Sequence, residues 1–224
     1  MSKITNEGVR TSLRPLPVIL LLDVSSSMKG PKIESLNFAV KEMLKSFSKV
    51  ESTNMNIHVA IITFGNQVSL HTPLKPVTEV EFTNLNAYGN TPLGQALTLC
   101  KELINDPKQL PNNAKRPIIL LVSDGEPNGN WKEPFEDFIN NGITSKCDRH
   151  SIAIGAEADY NVLERFLDGN EKHVLQAADA DGIEQLFRTF TQATVTFAEG
   201  KSPSIVAALQ EEIEDEYDDD DDIF

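Results

Sequence analysis

Pro17-Val-Ile-Leu-Leu-Leu-Asp23-Val-Ser25-Ser-Ser27 is the stretch whose reading decides the fold. A continuous apolar run of strand length, rich in Leu, Ile and Val, suits a parallel strand buried on both faces. It stops abruptly at an acid followed by alternating serines. A second run of the same kind, Pro117-Ile-Ile-Leu-Leu-Val122, also leads into a hydroxyl and an acid, Ser123-Asp124.

Working outward, Gly30-Pro31 opens a helix, with Pro31 suited to its first turn. Ile33, Leu36, Val40, Leu44 and Phe47 then recur at helical spacing. Ile57 to Phe64 reads as another buried strand. Gly65-Asn66 turns the chain into Gln67 to Leu74, a hairpin partner and antiparallel edge strand. After a polar stretch from Lys75 to Asn90, Leu93, Ala96, Leu97, Cys100, Leu103 and Ile104 mark a helical stripe, with Cys100 as a small core residue.

Beyond the Pro117 strand, a helix spans Pro134 to Asn141. A strand follows at His150 to Ile154, a short helix near Val162 to Leu167 and a weak strand at His173 to Leu175. The last helix carries Ile183, Leu186, Phe187, Phe190 and Phe197. Strands alternating with helices predict an α/β protein. Its central sheet is doubly wound and mostly parallel, with one antiparallel edge strand and helices on both faces. The expected divisions are a polar leader over 1–14, one domain over 15–200 and an acidic tail over 201–224.

Open α/β sheets bind ligands beyond the carboxyl ends of their strands. Asp23, Ser25 and Ser27 leave the first strand there, and Asp124 leaves the Pro117 strand. Thr91 lies in a loop, Gly89-Asn-Thr-Pro-Leu-Gly94, that can reach the same edge. Two carboxylates and three hydroxyls form a hard-oxygen set of the kind Mg²⁺ prefers, with Mn²⁺ or Ca²⁺ as alternatives. Two carboxylates balance one divalent ion and leave it able to accept one more anionic oxygen. The serine cluster alone would read as a capping turn; Thr91 and Asp124 turn the reading toward metal. Glu126 is expected to face solvent, and the four histidines show no ligand spacing. Lys29 is the base nearest the first motif in sequence. Trp131, Phe135 and Phe138 read as core packing.

Asp23-x-Ser25-x-Ser27 with Thr91 and Asp124-Gly125 resembles the metal-ion-dependent adhesion site of von Willebrand factor A domains, over roughly Pro15 to Phe197. The resemblance implies Ser25 and Ser27 as direct ligands and Thr91 as a ligand that changes with state. It implies Asp23 and Asp124 as the charge-balancing pair. Leu13 to Asp23, Met28 to Asn37, Ile61 to Phe64 and Thr72 to Leu74 are similar to the bacterial TerY-like proteins. That group is associated with tellurium-resistance and stress systems, and some members resemble adaptors beside a protein kinase and a PP2C-type phosphatase.

Composition bounds the rest. The chain has 224 residues, 34 acids against 20 bases and a net charge of -14. Ten of the acids lie between Glu211 and Phe224, so the body is only mildly acidic. Nucleic acid and anionic membranes are disfavoured partners. The tail has three open readings: a solubilising segment, a strip for a basic partner, or an internal carboxylate ligand for the metal. Two cysteines make no disulfide framework, and no apolar run approaches membrane-spanning length. A soluble cytoplasmic protein is the expectation. The expected function is a non-enzymatic, Mg²⁺-dependent interaction module that captures an Asp or Glu carboxylate from a protein partner. The alternatives are an accessory subunit of an ATPase remodelling complex and a Mg²⁺-dependent phosphohydrolase. Against the last, no P-loop or Gly-x-Ser-x-Gly elbow occurs.

Overall fold

The computed structural model describes residues 13–51, 55–169 and 171–210. Residues 1–12 of the leader and the acid-rich 211–224 lie outside them. Six strands form one sheet: β1 (Leu16–Asp23), β2 (Ile57–Phe64), β3 (Val68–Pro76), β4 (Ile118–Ser123), β5 (Asp148–Ile154) and β6 (Leu175–Ala177). Their order is β3-β2-β1-β4-β5-β6. Every pairing is parallel except β2 with β3. Five helices cover it: α1 (Pro31–Glu51), α2 (Leu93–Asn105), α3 (Lys132–Asn140), α4 (Tyr160–Phe166) and α5 (Ala180–Ala198). The sheet is the doubly wound, mostly parallel one expected from the sequence, with β3 as its antiparallel edge.

The two-residue repeat of a strand explains both layers. Val18, Leu20 and Leu22 of β1 pack with α1 and α5. Ile19 and Leu21 point the other way, into the layer built by α2, α3 and α4. β4 divides identically, with Ile118, Leu120 and Val122 on one side and Ile119 and Leu121 on the other. All eight residues of β1 are buried, and each large apolar side chain so buried contributes about 1.5–3 kcal/mol. Phe135, Phe138 and Cys100 are core residues as expected, with Trp131 half-buried against them. Asp159 and Asp179 accept hydrogen bonds from the first turns of α4 and α5 as N-caps.

Several boundaries differ from the sequence reading: β6 spans Leu175–Ala177 where His173 to Leu175 was expected, and α3 and α4 each start two residues early, at Lys132 and Tyr160. β5 starts at Asp148, ahead of the expected His150, because its charged first residues are satisfied within the fold. Asp148 pairs with His150 and Lys172, and the Arg149 guanidinium donates to the carbonyls of Phe166 and Thr144. The packed body also runs past the expected boundary at 200. Ile205, Ala208 and Leu209 belong to the α1–α5 core, so at least the first ten residues assigned to the tail are part of the domain. The apolar spacing of those three residues is the reason; the acids begin only at Glu211.

β1 lies between β2 and β4, and the chain winds outward from it in both directions. The crevice at the carboxyl ends of β1 and β4 is therefore the topological switch point, where such sheets bind ligands.

Candidate metal centre

Register places the two acids together. Leu22 pairs with Val122, so Asp23 is level with Ser123, and Asp124 follows one residue on. Ser123 Oγ donates to Asp23 Oδ2 at 2.6 Å, and the Ser25 N–H donates to Asp23 Oδ1 at 2.8 Å. Both donors favour the carboxylate, yet burial outweighs them and pushes the Asp23 carboxyl up from its ordinary 3.8 to about 6. Asp124, also fully buried, accepts from Ser27 Oγ at 2.6 Å and from Lys32 Nζ at 2.6 Å, one on each oxygen. Ser25 Oγ lies 2.9 Å from Ser27 Oγ. Because the Ser27 proton is committed to Asp124, Ser25 donates in that pair.

The loop carrying Thr91 is tied to the first motif through its backbone. Val24 Nα–H donates to Phe64 O, Tyr88 N–H to Val24 O, and Ser26 N–H to Gly89 O. The Gly89 N–H returns a bond to Ser26 Oγ at 2.9 Å. Gly89 has φ +84, and a Cβ there would fall 2.4 Å from the Asn66 nitrogen, so both its conformation and its space require glycine. A Cβ built on Gly125 would lie 3.8 Å from Ser27 Oγ and 4.0 Å from Thr91 Oγ1. Those two hydroxyls therefore border the same space above the end of β4. Thr91 is only 6% exposed, and among the described residues its hydroxyl has no hydrogen-bond partner. A buried hydroxyl left in that condition costs about 1–3 kcal/mol.

All five residues expected at the site thus meet at one edge of the sheet. Ser25 is buried at the base and Ser27 exposed at the rim, and Glu126 points to solvent. Three participants were not singled out by sequence: Ser123 as the donor to Asp23, Ser26 as the clamp on the Thr91 loop, and Lys32 as the base that reaches Asp124. Lys29, nearest in sequence, is exposed. Helical spacing from Pro31 was the signal available for Lys32, since the first turn of α1 starts beside the site. The donor set fits a hard divalent cation: carboxylates and hydroxyls, one of the latter lacking a partner among the described residues. Among the described residues no three His, Cys, Asp or Glu side chains gather as a metal cluster of their own.

The model for the von Willebrand factor type A domain matches residues 18–189. The chain belongs to that family. Human inter-alpha-trypsin inhibitor heavy chain H2 is 26% identical over 178 residues, covering 72% of this chain and 18% of that protein. Proximal thread matrix protein 1 from the mussel byssus superposes with a TM-score of 0.65 at 20% identity, covering 80% of this chain and 48% of the other. The same mussel protein solved with a zinc-occupied MIDAS motif gives a TM-score of 0.60 at 14% identity, with coverages of 82% and 46%. The type A domain here spans less than half the length of each of these proteins. Among its described residues no helix is long and apolar enough to cross a membrane.

Proposed function

We propose that this type A domain is a divalent-cation-dependent protein-interaction module, and that Ser25, Ser27 and Thr91 hold the cation with Asp23 and Asp124 balancing its charge. The observation that carries the reading is the buried Thr91 hydroxyl. Among the described residues it lacks a partner, and it borders, with Ser27, one space over Gly125. When bound, the cation supplies a Lewis-acidic position that accepts a carboxylate from an Asp or Glu of the partner. The chain's own residues prepare that position. Ser123 and the Ser25 N–H orient Asp23, Asp124 draws Ser27 inward, and the Ser26–Gly89 clamp fixes how near Thr91 stands.

The shape favours a protruding side chain over an enclosed small molecule. Concavities of about 430 Å³ beside the start of β4 and about 310 Å³ between α1 and α5 contain none of the five residues. Mg²⁺ is the cation proposed for cells on grounds of hard-oxygen preference. On the resemblance of Leu13 to Asp23, Met28 to Asn37, Ile61 to Phe64 and Thr72 to Leu74, we place the protein with the TerY-like cytoplasmic adaptors, in a bacterial tellurite or stress-response system or in one linked to a kinase and a PP2C-type phosphatase. The same site would serve an accessory subunit of an ATPase complex.

The test is a pull-down from native lysate with Mg²⁺ or EDTA, comparing wild type with Asp23→Ala. Capture that needs both Mg²⁺ and Asp23 is expected. Partners retained equally in EDTA count against the proposal.

A further inference from the structure

Lys32 sits in the first turn of α1 and projects its ammonium into the edge of the site. Nζ lies 2.6 Å from Asp124 Oδ2, and the side chain is 29% exposed while that of Asp124 is fully buried. The far end of β5 leaves room for it. Gly155 has φ +73, and a Cβ there would come 3.7 Å from Nζ. The ammonium is therefore seated between the end of β4 and the end of β5, on the oxygen of Asp124 that Ser27 does not use.

Charge bookkeeping shows what this placement does. Asp23, Asp124 and Lys32 together carry one negative charge when both acids are ionised. A divalent cation changes that to one positive charge. Without Lys32 the loaded site would be neutral, and an anionic ligand would gain little over water. With Lys32 the loaded site has a surplus that one carboxylate neutralises.

We propose that Lys32 is the built-in counter-ion of the site: it weakens binding of the divalent cation and strengthens capture of a single carboxylate by the loaded site. The proposal rests on the metal-binding reading of the five residues given above. The two effects have opposite signs, which a merely structural lysine would not produce. Loss of a fold contact would weaken both.

Mn²⁺ alone is the first probe, titrated into the full chain and followed by electron paramagnetic resonance. Wild type is compared with Lys32→Gln, Lys32→Arg and Asp124→Ala. Removing one positive charge from beside the charge-balancing Asp124 should tighten Mn²⁺ binding about tenfold in Lys32→Gln, with Lys32→Arg restoring weaker binding. Acetate is the second probe, added to the Mn²⁺-loaded proteins and followed by water-proton relaxation. Its affinity should fall about tenfold in Lys32→Gln. Mn²⁺ binding that is unchanged or weaker in Lys32→Gln overturns the proposal while leaving the metal site standing. No Mn²⁺ binding by wild type, or equal binding by Asp124→Ala, overturns the metal reading itself and the role of Lys32 with it.

Discussion

Replacing Asp23 by Asn should stabilise the metal-free protein and abolish its response to metal. The Asp23 carboxyl is raised by burial from 3.8 to about 6. Between about pH 4 and pH 6 the folded state therefore holds a proton that the unfolded chain has released. The stability linked to this group is fully present below about pH 4, declines as pH rises to about 6 and is flat beyond. Each unit corresponds to about 1.36 kcal/mol, so ionised Asp23 costs the metal-free fold about 3 kcal/mol at neutral pH. Asn keeps the geometry: its Oδ1 can accept from the Ser25 N–H, and its amide can donate to Ser123 Oγ. In EDTA at about pH 7, Asp23→Asn should unfold about 6–12 °C above wild type, taking about 2–4 °C per kcal/mol for a chain of this size. At about pH 4 the two should coincide. Adding Mg²⁺ to about 100 times the dissociation constant should raise wild type by about 2.7 kcal/mol and leave the variant unmoved. Differential scanning calorimetry reads all three comparisons. A variant less stable than wild type in EDTA, or a difference that persists unchanged at low pH, refutes the reasoning.

Other expectations follow from separate parts of the molecule. Burial alone would raise the Asp148 carboxyl, but His150 and Lys172 outweigh it and hold it well below the usual carboxylate range. Its contribution to stability is thus present above about pH 4 and lost as pH falls below that. Urea titrations across this window should slope less steeply in Asp148→Asn, and an identical slope would exclude the cluster as an acid trigger. Gly89→Ala combines a φ of +84 with a 2.4 Å approach to the Asn66 nitrogen. It should cost about 2 kcal/mol or more by chemical denaturation and weaken metal binding by displacing Thr91. A variant as stable as wild type would show that the loop is not clamped. Cys100 is fully buried with its thiol pushed up, and burial lifts Cys147 to about 12. Both should resist iodoacetamide until the protein unfolds, as mass spectrometry of the native protein would show. Alkylation at native conditions would mean that the α2–α3 layer opens.

The sheet was legible because β1, β2 and β4 are apolar on both faces, a pattern that few other environments tolerate. The five candidate oxygen donors were legible because two of those strands end in acids. Other features required the third dimension. Asp148 and Arg149 look unlike a strand until Lys172, 24 residues after Asp148, is seen neutralising it. Ile205, Ala208 and Leu209 are too few to register as a helical stripe beside so many acids, yet they complete the core against α1 and α5. Lys32 is nine residues from Asp23 and 92 from the Asp124 that it pairs with. Only the parallel register of β1 and β4, followed by the turn into α1, makes that pair. Ser26, in the middle of the serine triplet, needed the structure to gain a role. It is exposed, and its hydroxyl is occupied with the Gly89 N–H.

The most direct measurement is a crystal structure of the Mn²⁺-soaked protein with anomalous diffraction. A single anomalous peak is expected over Gly125, within about 2.1–2.3 Å of Ser25 Oγ and Ser27 Oγ, as hard-cation bonds to oxygen require. Thr91 and Asp124 should face it, and the peak should be absent from Asp23→Ala crystals. A peak elsewhere, or none at saturating Mn²⁺, would contradict a metal-dependent site at the ends of β1 and β4.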